Sequence, residues 1–117
     1  MPATYRVVVH LPDADTVRHA LVLRNVENLL NDFAPGEIEV EVVAHAGGIL
    51  AFAAEQSTVA EQVSRLTTRG VDLAGCSNAM AGCQLTERQL LPGVRVVNSG
   101  VGELVRKQAD GWIYLRP

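Results

Sequence analysis

Cys76 closes the apolar run Gly70-Val71-Asp72-Leu73-Ala74-Gly75 and opens the polar step Ser77-Asn78-Ala79-Met80. A thiol where a buried strand gives way to a helix or turn meets outward-facing backbone N–H groups and the positive end of a helix dipole. Both favour thiolate. The chemistry open to such a residue is nucleophilic attack, or carriage of a sulfur atom as persulfide. The competing reading is structural, because a free cysteine also packs as a small hydrophobe. Asn78 either turns its amide toward a thiolate or persulfide, or caps the turn. Cys83 lies seven residues beyond Cys76. If the residues between them are helical, a rise of about 1.5 Å per residue separates the two by roughly 10 Å, beyond disulfide reach. The spacing also departs from close-pair redox and zinc motifs. Cys83 is therefore read as structural, with a resolving thiol as the alternative.

His10 and His45 fall at or near the ends of two strands, and His19 falls early in the first helix. A lone strand histidine is more often a hydrogen-bonded core residue than a ligand. His45 stands apart because it precedes Gly47-Gly48 on the edge where Cys76 emerges, placed to lower a thiol pKa or shuttle a proton. Two cysteines and three scattered histidines complete no ligand set, so neither a metal nor a cofactor is expected. Gly100-Val101-Gly102 follows a strand, but Val105 stands where a dinucleotide fingerprint needs its third glycine. It reads as a tight turn capped by Ser99. Asn25 and Asn28 share one face of the long helix and suit the sheet edge, a subunit neighbour or solvent. Trp112 and Tyr114 share one side of the last strand, as core or interface residues.

The elements that must position these groups follow from periodicity and breakers. Tyr5 to Leu11 is a β-branched run broken by Pro12-Asp13. A helix follows from Asp13 or Asp15, with Val22, Val26, Leu29 and Phe33 at helical spacing, and Pro35-Gly36 stops it. Glu37 to Ala44 begins as alternation and ends as a continuous apolar run, suiting a strand that enters a covered sheet. Ile49 to Ala53 suits a short buried helix. Thr58 and Glu61 form a capping-box pattern for a helix ending at Gly70, and Thr86 and Gln89 form a second. Val94 to Val97 is a fourth strand, Val101 to Ala109 a helix, and Trp112 to Leu115 a last strand. Such alternation predicts an α/β fold, a mostly parallel sheet between two helical layers, as a single domain over 1–117. Ligands of these folds bind beyond the carboxyl ends of the strands. The loops expected there supply His45, Gly48, Ser77, Asn78, Ser99 and Gly100 as candidate substrate-binding or anion-stabilising residues around Cys76.

Composition excludes other classes. The chain is 48% hydrophobic but only 4% aromatic, so its core is aliphatic, and so apolar a small chain suits self-association. A net charge of −3 with no basic stripe argues against nucleic acid. No run reaches the roughly 18 apolar residues of a membrane helix, and the first residues lack a signal-peptide pattern. Two cysteines without such a signal suit reduced thiols in the cytoplasm.

Several motifs occur in a familiar order. They run from Asn25-x-x-Asn28-Leu29-Leu30 through Val43-Ala44-His45 and Gly70-Val71 to Cys76-Ser77-Asn78-Ala79-Met80. The tail adds Leu91-Pro92-Gly93-Val94, Val97-Asn98-Ser99-Gly100-Val101, Glu103-Leu104-Val105 and Gln108-Ala109-Asp110-Gly111-Trp112-x-Tyr114. Together they resemble the DsrE family, in particular its small stand-alone YchN-like members. The resemblance implies a three-layer α/β/α domain with a five-stranded sheet, assembled as dimers, trimers or hexamers. It also implies sulfur relay, in which the cysteine matched by Cys76 accepts a sulfane sulfur from a donor protein and passes it to an acceptor. Two positions depart from the family pattern: Ala79 replaces a hydroxyl residue, and Ala81 a basic one. The leading expectation is a persulfide-carrying sulfur-relay protein. The alternatives are a non-catalytic oligomeric module binding a small molecule or anion, and a redox sensor using both cysteines.

Overall fold

The computed structural model describes residues 2–117, so Met1 of the expected domain lies outside it. In chain order the elements are β1 (Tyr5–Leu11), α1 (Thr16–Asn31), β2 (Ile38–Ala44), a 3-10 segment (Ala46–Phe52), α2 (Ala60–Thr68) and β3 (Asp72–Cys76). They continue with α3 (Ser77–Gly82), a 3-10 turn (Glu87–Gln89), β4 (Val94–Val97), α4 (Gly100–Ala109) and β5 (Ile113–Leu115). The strands form one five-stranded sheet, ordered β4-β3-β2-β1-β5 and parallel throughout. This is the expected α/β architecture.

Crossover handedness decides which helix covers which face. The first three crossovers add strands successively toward β4, and with a common right hand they lay their helices on one face. The last crossover runs the other way, from β4 to the far edge, so the same hand carries α4 to the opposite face. Two cores result. Val7, Val9, Leu11, Val40 and Val42 pack with Val22, Leu23, Val26, Val63 and Leu66 on one side. Val8, Val43, Ala74 and Val97 pack with Leu104 and Trp112 on the other.

Local chemistry sets the helix ends. Asp15, not Asp13, caps α1 by accepting the Val17 N–H at 2.8 Å. Asp13 instead turns its carbonyl to the buried ring of His19, 2.5 Å away. The expected Thr58–Glu61 box does not form. The Ser57 hydroxyl takes the Val59 N–H while donating to the Ala51 carbonyl, and α2 starts after Val59 without a side-chain cap. The Thr86–Gln89 box does form, but around a single 3-10 turn. Backbone bonds from Ala54 to Gln89 and from Leu91 to Phe52 tie that turn to the 3-10 segment after β2, leaving no room to extend it. Gly70 ends α2 at φ +84°, the left-handed position that a glycine adopts without Cβ penalty.

The alternation of β2 places Glu41 under α4, where its side chain is fully buried. Arg95 of β4 reaches across to it and also bonds Asp72, at 2.8 and 2.9 Å, and Glu103 of α4, at 3.0 Å. One guanidinium thus serves three carboxylates, and Glu41 Oε1 has no partner among the described residues. Burial, followed by the hydrogen bonds with Glu103 and Asp72, pushes the Glu41 carboxyl up to about 8. Glu41 then stays protonated in the folded chain at pH values where the unfolded chain has ionised it. Between about pH 4.5 and 8 the folded state holds the extra proton, so stability falls as pH rises, by up to about 1.4 kcal/mol per pH unit. We predict that the melting temperature rises as pH is lowered from 8 toward 5. Glu41→Gln, which keeps the neutral shape, should flatten that slope and raise the melting temperature at pH 8. Thermal denaturation of both proteins across this range checks the prediction.

Candidate functional site

Cys76 is the last residue of β3, and its register partner on β4 is Val97. The chain leaves β3 toward α3 on one face of the sheet and leaves β4 toward α4 on the other. Adjacent strands whose connections part in this way open a crevice at their carboxyl ends, the usual ligand position of open parallel sheets. Cys76 stands at that point.

The thiol also caps α3. Cys76 is the N-cap residue, in extended conformation, and Sγ accepts the Ala79 N–H at 3.4 Å. An N-cap acceptor reaches the second or third N–H of its helix. The backbone donor to the resting thiol is therefore that of Ala79. Ser77 is half-buried in the first turn of α3, and Asn78 is exposed. Cys76 itself is only 1% exposed, under this turn. Cys83, exposed, is the C-cap at the other end of the same six-residue helix, and both thiols are free. The helical segment keeps the pair apart, as the spacing predicted.

The start of α4 closes the site from the opposite face. Ser99 is its N-cap, accepting the Gly102 N–H at 3.1 Å. A Cβ on Gly100 would lie 3.0 Å from the His45 Cβ, 3.3 Å from the His45 Cδ2 and 3.2 Å from the Cys76 Cβ. Gly100 thus fits between these two side chains because it has none. His45 follows β2 one step beyond the Ala44–Gly75 pair, which brings it beside Cys76 on the neighbouring strand. Gly48 has a different task. Its N–H is taken by the His45 carbonyl at 2.9 Å, and a Cβ there would collide with the Leu11 carbonyl. The glycine holds the loop against the end of β1.

Two further side chains join from the first and last strands. His10 Nε2 lies 3.3 Å from His45 Nδ1, and His10 Nδ1 lies 2.7 Å from the Tyr114 hydroxyl. His10 and His45 are half-buried, while Tyr114 is 39% exposed. Burial, then the neighbouring His45 and Arg116 charges, hold the His10 ring below its ordinary pKa, against an opposing pull from Asp13. From the sequence, His10 reads as a core residue and Tyr114 as core or interface. The signal that unites them is parity: Val8 pairs with Tyr114, so Tyr114 and His10 share a face, and only the pairing of the first strand with the last reveals it.

Other expected residues lie elsewhere. Asn25 and Asn28 line a groove of about 520 Å³ with Leu29, Asp32, Leu115 and Arg116. It opens between α1 and β5, on the side of the sheet away from Cys76. Trp112 is buried, with the Lys107 ammonium 4.2 Å from its ring centre. Among the described residues no three or more His, Cys, Asp or Glu side chains are arranged to hold a metal ion. No helix there is long and apolar enough to cross a membrane.

Comparison with known proteins extends the picture. The model of the DsrE/DsrF-like family matches residues 5–117. A protein of unknown function from Methanobacterium thermoautotrophicum is 41% identical, with 97% of this chain and 99% of that one aligned and a TM-score of 0.90. The ychN protein from E. coli, at 16% identity over the same shares, shares the fold with a TM-score of 0.76. No curated protein matches the sequence. With nearly its whole length matched, the chain belongs to the DsrE/DsrF-like family.

Proposed function

We propose that this protein is a sulfur-relay carrier that holds a sulfane sulfur as a persulfide on Cys76. The observation that carries this reading is the thiol at the adjoining carboxyl ends of β3 and β4, capped by the Ala79 N–H and set beside His45 and the start of α4. In the reaction the Cys76 S–H bond breaks, and the proton passes to the neighbouring imidazole. The thiolate then attacks the outer sulfur of a donor persulfide. The new S–S bond forms on Cys76 as the donor's S–S bond breaks, and the electron pair of the broken bond leaves on the donor thiolate. An acceptor thiolate later removes the outer sulfur by the same exchange. The α4 N-terminus favours the anionic forms on this path. Ala79 and Ala81 add no side-chain donor, so backbone N–H groups bear that task. Access to Sγ requires the short α3, exposed along Asn78, Ala81 and Gly82, to move aside when donor or acceptor docks.

The chemistry needs a compartment that keeps thiols reduced, the cytoplasm. It also suits an assembly of copies. Val101 and Val105, one turn apart on α4, are 52% and 65% exposed, and Ile113 and Leu115 are exposed on the edge strand β5. Apolar residues exposed on both α4 and the edge strand offer surface for a second copy to cover. The proposed partners are further copies of this chain, then donor and acceptor proteins.

The burial of Cys76 specifically favours a second reading, a binding module in which the thiol only lines the crevice. Thiol chemistry separates the two. After incubation with a persulfide donor, intact-mass spectrometry should show added sulfur on the wild type and on Cys83→Ser, and none on Cys76→Ser. Sulfur persisting on Cys76→Ser overturns the carrier reading. Alkylation of Cys76 no faster at neutral pH than an ordinary thiol of pKa about 8.5 supports the binding module. For the assembly, light scattering should report a multiple of the chain mass, and Val105→Lys should shift the population toward smaller species.

A further inference from the structure

We infer that Tyr114, His10 and His45 form a one-proton relay joining solvent at the β5 edge to the Cys76 end of the crevice. Its purpose rests on the carrier reading above; its geometry is independent of it. Three titratable side chains from β5, β1 and the end of β2 are linked in series, at 2.7 and 3.3 Å, on one face of the sheet. The solvent end is the exposed Tyr114 hydroxyl, and the inner end is the edge of the His45 ring beside Gly100 and Cys76. The other charges acting on His10 are Arg116, beyond the end of β5, and Asp13, in the loop from β1 to α1.

With both imidazoles neutral, the series has two consistent hydrogen-bond patterns, because each contact holds one proton. In the first, His45 Nδ1–H donates to His10 Nε2, His10 Nδ1–H donates to the Tyr114 oxygen, and the Tyr114 O–H points to water. His45 Nε2 is then a free base, bonded to the Cδ2 that faces Gly100. In the second pattern every bond is reversed: Tyr114 donates to His10 Nδ1, His10 Nε2–H donates to His45 Nδ1, and His45 Nε2 carries a proton. Passing from the first to the second consumes one proton at His45 Nε2 and releases one from Tyr114 to water. When the Cys76 S–H bond breaks, its electron pair stays on sulfur and its proton takes this route. No imidazolium is left behind. That matters because burial, followed by the neighbouring His45 and Arg116, disfavours a positive charge on His10. A lone histidine would keep the proton next to the thiolate it must release.

The test uses the full-length protein in a Cys83→Ser background, with iodoacetamide as the thiol probe and ¹⁵N NMR to read the imidazole tautomers. The relay requires both rings to carry the same tautomer and to change together with pH. Tyr114→Phe removes the solvent end and should shift both rings at once. It should also slow Cys76 alkylation on the order of tenfold, part of the hundredfold or more that a positioned proton acceptor supplies, and move the pH profile upward. His10→Gln should have the same effect, and the double variant no more than either alone. Tautomers that differ between the rings, or rings and profiles unmoved by Tyr114→Phe, overturn the relay. If Cys76 resists alkylation, the tautomers decide alone. If His10→Gln does not fold, the exposed Tyr114 carries the test. Loss of the sulfur adduct with coupled tautomers intact defeats the carrier reading only; an adduct that forms while the rings titrate independently defeats the relay only.

Discussion

A twisted parallel sheet accepts right-handed crossovers almost exclusively, and in this chain the last of them runs opposite to the first three. That single reversal sends α4 to the face that the other helices leave bare. It parts the connections at the ends of β3 and β4, and it presses Gly100 between His45 and Cys76. It also returns the chain to the far edge, where β5 pairs with β1 and sets Tyr114 against His10. Each part of the candidate site therefore traces to the direction of one connection.

The same helix imposes a cost, because α4 covers Glu41 as well as Val43 and Val8. A buried carboxylate is tolerated only when paired and hydrogen-bonded, or when neutral. Here both remedies operate together. Arg95 spans Glu41, Asp72 and Glu103, and burial, followed by the hydrogen bonds with Glu103 and Asp72, pushes the Glu41 carboxyl up to about 8. The cluster ties β2, β3, β4 and α4 to one another, and those four elements hold Cys76, His45 and Gly100. Rigidity at the site and pH sensitivity in the fold thus have a shared origin.

At the thiol, two demands meet. As an N-cap, Sγ replaces the usual hydroxyl or carboxylate and satisfies the Ala79 N–H, which favours a buried, ordered cysteine. Under the proposed sulfur relay, the same atom must become accessible. α3, six residues with Met80 as its one buried side chain, is an element of the kind that opens at small free-energy cost, which reconciles them. The cap that orders the thiol at rest is also the contact that the proposed relay must release.

Much of this was legible in the residues. β-branched runs, Pro and Gly breakers and the capped stripe of α1 established the strands, the helices and their alternation, since these depend on near neighbours in the chain. Cys76 at a strand end and Ser99 at a helix start were readable for the same reason. The competition between Ser57 and Thr58 for the start of α2 was not, because the deciding partner, the Ala51 carbonyl, belongs to another element. Nor was the burial of Glu41, whose alternating strand fits a solvated face equally well. The link from Tyr114 through His10 to His45 joins residues 104 and 35 positions apart. The sequence by itself determined which segments are strands and helices and which residue types end them, because propensity, period and capping are local. Only the tertiary structure decided which strand ends became neighbours, because pairing order and crossover hand, not composition, bring distant side chains onto one face.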